Sequence, residues 1–169
     1  MAKQRNLILI GMPGAGKSTI GVLLAKRLGV SFLDTDILMQ TGEGCFLQET
    51  IAAYGIDGFR SIEERYLLTV PPECGVVATG GSAVYSPKAM CHLRSLGPVV
   101  YLQIELQQLK ERLGNLDARG VLRMPGQTID MLYDERCPLY ERYADITVFA
   151  AGTTPDQVVA QVLRQAWQG

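Results

Sequence analysis

Ile10-Gly11-Met12-Pro13-Gly14-Ala15-Gly16-Lys17-Ser18-Thr19 reads as a glycine, four residues, and then Gly-Lys-Ser, directly after the apolar run Leu7-Ile8-Leu9-Ile10. The context is a strand, a tight turn and a helix, because Ile20 to Leu28 continues with helical apolar patterning and Gly29 stands where that helix should end. Glycines let the main chain wrap round phosphates with its N–H groups pointing inward, and the helix N-terminus adds partial positive charge. Gly14, Ala15, Gly16, Lys17, Ser18 and Thr19 are therefore the expected phosphate-binding residues. Lys17 brings a mobile full charge, and the Ser18 hydroxyl suits Mg²⁺. The ligand this stretch implies is a nucleoside triphosphate.

The rest of the chain fits a fold built round that loop. Strand-like runs are expected at Leu7 to Ile10, Ser31 to Leu33, Gly75 to Ala78, Val99 to Ile104 and Ile146 to Phe149. Between and after them, helical patterns cover Lys17 to Leu28, Ile37 to Thr41, Phe46 to Tyr54, Asp57 to Leu68, Pro87 to Ser95, Leu106 to Leu113, Thr128 to Tyr143 and Thr154 to Gln168. Strands alternating with helices predict right-handed crossovers, hence a three-layer α/β/α sandwich of the P-loop NTPase type round a five-stranded parallel sheet. Ligands in such sheets bind at the carboxyl ends of the strands. The 169 residues read as a single domain, 1–169, with the Gly- and Pro-containing piece 114–127 as a lid and the helical stretch 37–68 lining the substrate.

Composition narrows the partners. With 47% hydrophobic and 20% charged residues and a formal net charge of -1, the chain is globular and carries no basic excess for nucleic acid. No apolar run approaches the roughly 18 residues of a membrane span. Cys45, Cys74, Cys91 and Cys137 are scattered without metal-ligand spacing, so a reduced, cytoplasmic protein is expected, by default a monomer. The single His92 has no companions for catalysis and reads as a surface residue.

Three further features carry chemistry. Asp34-Thr35-Asp36 follows Phe32-Leu33, where the second strand leaves the sheet. On an extended segment residues i and i+2 point the same way, so one carboxylate could meet a metal and the other a substrate hydroxyl. The plainer alternative is that one aspartate caps the helix starting at Ile37. Arg60, Arg119 and Arg136 each sit at a junction, and guanidinium forks match an anionic substrate as well as phosphates. Arg60 could equally pair with Glu63 and Glu64 on one helix. Thr79-Gly80-Gly81-Ser82 follows the apolar Val76-Val77-Ala78 and lets main-chain N–H groups approach a ligand.

In order and spacing, Leu33-Asp34-Thr35-Asp36, Phe59-Arg60 with Glu63-Glu64, Gly80-Gly81, and Arg136 with Pro138-Leu139-Tyr140 resemble the shikimate kinases, over nearly the whole chain. That resemblance implies ATP-dependent phosphorylation of a hydroxyl on the carboxylate-bearing ring shikimate. It also implies that Lys17 and Ser18 hold phosphates and Mg²⁺, that Asp34 assists the metal through water, and that Asp36 binds substrate hydroxyls. Arg60, Arg136 and the Gly80-Gly81-Ser82 turn would hold the substrate carboxylate, chiefly through the Gly81 N–H. Arg119 would come down with the lid onto ATP, with Arg112 a further nucleotide contact and Pro155 near the adenine.

Three departures from the family pattern bear on the pocket. Ser82 stands where a third glycine is usual, so a side chain there narrows the pocket or adds a hydroxyl. The lid reads Arg119-Gly120-Val121-Leu122 in place of Arg-Pro-Leu-Leu and is shorter. Gly152-Thr153-Thr154-Pro155 lacks an arginine near the adenine. Two alternatives stay open: a related kinase acting on another hydroxy acid such as homoserine, and a non-catalytic nucleotide switch. A guanine-specific switch is disfavoured because no Asn-Lys-x-Asp occurs.

Overall fold

The computed structural model describes residues 6–113, 121–150 and 152–166. Five parallel strands, β1 (Leu7–Ile10), β2 (Phe32–Asp34), β3 (Val76–Ala78), β4 (Val99–Gln103) and β5 (Ile146–Phe149), form one sheet in the order β2-β3-β1-β4-β5. The helices are α1 (Lys17–Leu28), α2 (Thr35–Glu43), α3 (Leu47–Leu67), α4 (Pro87–Leu96), α5 (Leu106–Leu113), α6 (Ile129–Tyr143) and α7 (Pro155–Ala166), with a 3-10 turn at Ala83–Tyr85. The α/β fold with a five-stranded parallel sheet is the one the sequence predicts.

Burial explains the strands. Leu7, Ile8, Leu9 and Ile10 are all buried, as are Val76, Val77 and Ala78, which is why these runs are continuously apolar rather than alternating. Helix α1 lays Ile20, Leu24 and Ala25 on the sheet and stops at Gly29, whose φ of 68° belongs to the left-handed region. Removing a fully buried side chain such as Leu24 by substitution to Ala costs about 2–5 kcal/mol.

Strand register places the site. Leu9 of β1 pairs with Ala78 of β3, and Ala78 pairs with Asp34 of β2. The turns leaving these three strands therefore open at one level on one edge of the sheet. Two boundaries differ from expectation, for one reason. The Asp34 side chain accepts hydrogen bonds from the main-chain N–H groups of Asp36 (3.0 Å) and Ile37 (3.3 Å), so it ends β2 and starts α2 at Thr35 instead of Ile37. The two helices expected on either side of residue 55 run on as α3 but are broken by Gly55, at φ 66° and ψ -172°.

Candidate active site

The first wall of the site is the turn from β1 into α1. Gly16 caps α1 at φ 98°, a conformation that a side chain resists, and it delivers Lys17 to the start of the helix. Lys17 is buried, and its Nζ donates to the carbonyl oxygens of Gly11 (2.8 Å) and Met12 (2.9 Å). Burial pulls the ammonium down to about 8, with Arg136 adding to the fall and Asp36, Asp34 and Glu63 opposing it. Ser18 stands exposed in the first turn of α1 and donates its hydroxyl to Asp34 Oδ2 at 2.6 Å. Thr19 also lines the cavity, Ala15 is buried beneath the loop, and Arg112 on α5 reaches the Gly14 carbonyl at 3.5 Å.

Asp34 and Asp36 converge by a route other than the expected one. They do not share an extended segment: Asp34 closes β2, whereas Asp36 lies in the first turn of α2. Asp34 is the helix cap, the plainer of the two readings, through Oδ1, while its Oδ2 accepts the Ser18 hydroxyl. Asp36 turns into the cavity instead, and its carboxyl is pushed up to about 6 by burial and by Asp34, against the pull of Lys17.

The second wall comes from β3, α3 and α6. Gly80 is bare for a steric reason, since a Cβ there would lie 2.6 Å from Asp36 Oδ1 and 2.7 Å from Glu63 Oε1. Two carboxylates thus close on the same stretch of main chain. Glu63 is buried and pushed up to about 7, first by burial and then by Asp36, while the Ser82 hydroxyl, Arg136 and Arg60 act the other way. Ser82 Oγ lies 2.8 and 2.7 Å from the two Glu63 oxygens. Tyr140 donates to the Gly81 carbonyl at 2.6 Å and so ties the turn to α6.

Arg136 is 1% exposed although it carries a full charge. Its Nε donates to the Tyr85 hydroxyl at 3.1 Å, its Nη2 donates to the Leu122 carbonyl, and its guanidinium stands 5.1 Å from the Tyr85 ring centroid. Tyr85 in turn donates to Glu135 at 2.5 Å. These walls enclose a cavity of about 520 Å³ lined by both halves, from Gly14, Gly16, Lys17 and Ser18 across to Asp36, Gly80, Gly81, Ser82 and Arg136.

The remaining expected residues are placed differently. Arg60 does not line this cavity: its guanidinium lies 4.2 Å from the Tyr85 ring centroid, with its Nε buried and without a hydrogen-bond partner. Pro155 opens α7 and is absent from the cavity lining. Arg119 and the first half of the expected lid, 114–120, fall outside the described residues. His92 is half-buried, with Nε2 3.0 Å from the Val70 carbonyl, rather than on the surface.

Sequence reading passed over Glu63, Tyr85 and Leu122 as site residues. Glu63 did leave a trace, because Phe59, Glu63 and Leu67 recur every fourth residue and all three are buried, which puts a carboxylate in the apolar stripe of α3. Tyr85 and Leu122 act through a ring face and a carbonyl oxygen, which carry no such signal.

A family model described as shikimate kinase matches residues 13–167. A shikimate kinase of Thiobacillus denitrificans is 40% identical over 154 residues, covering 89% of this chain and 84% of the relative. One from Synechococcus sp. is 40% identical over 164 residues, 95% of this chain and 85% of the relative. The structure of a shikimate kinase from Acinetobacter baumannii in complex with shikimate superposes with a TM-score of 0.86 at 31% identity, over 95% of this chain and 92% of that one. Family model, relatives and fold agree with one another, and the chain belongs to the shikimate kinase family.

Proposed function

We propose that this protein transfers the terminal phosphoryl group of ATP to a hydroxyl of shikimate, in aromatic amino acid biosynthesis. The observation that carries the reading is the single cavity that sets Lys17 and the phosphate loop opposite Asp36, Gly81 and Arg136. A site for nucleotide alone has no use for the second set.

ATP lies along Gly14 to Thr19, with main-chain N–H groups and Lys17 on its phosphates and Arg112 beside them. The Ser18 hydroxyl and Asp34 carboxylate are hard oxygen donors 2.6 Å apart, and they would hold Mg²⁺. Among the described residues no cluster of three or more His, Cys, Asp or Glu forms a cage, which agrees with an ion that takes most of its ligands from phosphates and water. Bound there, Mg²⁺ supplies positive charge against the phosphate oxygens.

The carboxylate of shikimate meets Arg136 and the N–H of Gly81, with the Gly80 and Ser82 main chain completing that wall and Arg60 held off the cavity on the Tyr85 ring. Asp36 accepts a hydrogen bond from the attacking hydroxyl and aligns its oxygen with the terminal phosphorus. As the new P–O bond forms, the bond to the departing ADP oxygen breaks, and the hydroxyl proton passes late to Asp36. A carboxyl near 6 is ionised at pH 7.5 and ready for both tasks. The family resemblance assigns Arg119 to the ATP phosphates and Pro155 to the adenine side.

No helix among the described residues is long and apolar enough to cross a membrane. A cytoplasmic monomer acting on small molecules, without nucleic acid or membrane partners, completes the proposal.

The test is a panel of ATP-dependent phosphorylation reactions with shikimate, homoserine, gluconate and nucleoside monophosphates, read by mass spectrometry. Shikimate is expected to turn over well above the others. Preferred turnover of homoserine would move the reading to a related kinase, and no product from any acceptor would favour a nucleotide switch.

A further inference from the structure

Helix α6 grips the turn after β3 at both of its ends. Tyr140 holds the Gly81 carbonyl, while the neighbours Glu135 and Arg136 both meet the hydroxyl of Tyr85. The turn is closed on itself between those points, the Ala83 N–H donating to the Gly80 carbonyl (3.3 Å) and the Tyr85 N–H to the Ser82 carbonyl (3.0 Å). Gly81 and Tyr85 are therefore parts of one compact unit, although Tyr85 does not line the cavity.

A guanidinium carries its N–H donors in a rigid fork, so the direction of the fork decides what it can bind. Among the described residues no ion pair involves Arg136, and its hydrogen bonds run to uncharged oxygens. Nε meets the Tyr85 hydroxyl and Nη2 the Leu122 carbonyl. Nη1 is left towards the Gly81 turn, where a Cβ on Gly81 would lie 3.0 Å from it. The Tyr85 hydroxyl has one proton, which goes to Glu135, so a lone pair is what Nε meets. Glu135 is fixed in turn by the buried Gln127, whose Nε2 donates to it at 2.6 Å.

The geometry points to Tyr85 as a positioning residue for acceptor recognition: its hydroxyl, aimed by Glu135, holds Nε of Arg136 so that Nη1 faces the acceptor's carboxylate beside the Gly81 N–H. This inference rests on the proposed acceptor and deepens it, since Tyr85 then sets how the carboxylate is read without touching the substrate. Without the hydroxyl, the Nε–H is left buried and unsatisfied, and the fork gains by turning towards another oxygen.

Tyr85→Phe isolates that one oxygen. The ring remains, and with it the contacts to the guanidiniums of Arg60 at 4.2 Å and Arg136 at 5.1 Å. The experiment is steady-state kinetics of this variant with ATP and either shikimate or the uncharged carboxamide of shikimate. The KM for shikimate should rise about 10-fold, as for a lost hydrogen bond to a charged group, with kcat and the KM for ATP within about 2-fold of wild type. For the carboxamide, kcat/KM should fall by less than about 3-fold, because it lacks the charge that the fork reads. A general loosening of the turn would cost both acceptors equally, and that result overturns the inference, as does an unchanged KM for shikimate.

A cycle with Arg136→Lys keeps the test decisive if the carboxamide turns over too slowly to measure. Lysine keeps the charge but has no Nε–H for the tyrosine to hold, so in that background Tyr85→Phe should change the KM for shikimate by less than about 2-fold. A loss of the same size in both backgrounds overturns the inference. Wild-type protein that fails to phosphorylate shikimate at all would instead overturn the acceptor assignment.

Discussion

The phosphate half of the site is written in one stretch of chain, Gly11 to Thr19, and is held chiefly by main-chain geometry; the acceptor half is assembled from five places. Asp36, Glu63, the turn 80–82, Leu122 and Arg136 come from α2, α3, the end of β3, the segment before α6, and α6 itself. The first half needs only a strand, a glycine turn and a helix. The second needs the whole sheet order, because β2 and β3 must lie side by side before Asp36 and Gly80 can meet. The donor side is therefore local and robust, whereas the acceptor side is distributed and sensitive to each element that feeds it.

That contrast breaks most sharply at Lys17. Lys17→Ala should lower kcat by about 10²–10³-fold or more with the fold intact, since one preorganised charge on the reacting group is lost. Steady-state kinetics alongside a thermal melt checks it, and a modest loss would remove Lys17 from the transition state. On the acceptor side, Asp36→Asn should cost about 10²-fold in kcat while nucleotide affinity survives. Full activity in that variant would place the acceptor hydroxyl elsewhere.

Arg136→Ala should raise the KM for shikimate by roughly 30-fold, about 2 kcal/mol, and move the KM for ATP far less. It also leaves the Leu122 carbonyl and Tyr85 hydroxyl without their donor, so the melting temperature should fall too. Equal effects on both substrates would contradict the division into halves.

The two halves also differ in how they titrate. With Lys17 near 8 in the free protein, kcat/KM for ATP should decline as pH rises through about 8, as the ammonium is lost. Glu63 is shifted up where Lys17 is shifted down, burial disfavouring the charged form in both. Its folded value, about 7, lies above the unfolded 4.5, so the fold disfavours the ionised form. The penalty is complete above pH 7 and is relieved as pH falls towards 4.5. Glu63→Gln should therefore stabilise the unliganded protein by about 1–2 kcal/mol at pH 8, with the gain fading near pH 5 in denaturant titrations.

The same contrast governs what could be read without coordinates. The alternation of apolar runs and helical patterns predicted the parallel sheet, because buried central strands such as Leu7–Ile10 leave a signal that needs no partner information. The phosphate loop was legible for the same reason. Asp36 does line the cavity, but by a local geometry other than the extended one expected, since the Asp34 cap that begins α2 early is a side-chain event. Ser82 was visible as a departure, yet its hydroxyl faces Glu63, a contact between residues nineteen apart that spacing alone does not disclose. Arg60 stacks on Tyr85 instead of pairing along its helix, and only packing decides between those outcomes.

The central claim is that both halves serve one transfer, and the most direct measurement is product formation from ATP, Mg²⁺ and shikimate by purified protein. Shikimate carrying one added phosphate should accumulate in step with ADP, and ADP should barely form when shikimate is left out. ADP release at the same rate with and without shikimate, and no phosphorylated acceptor, would contradict the account.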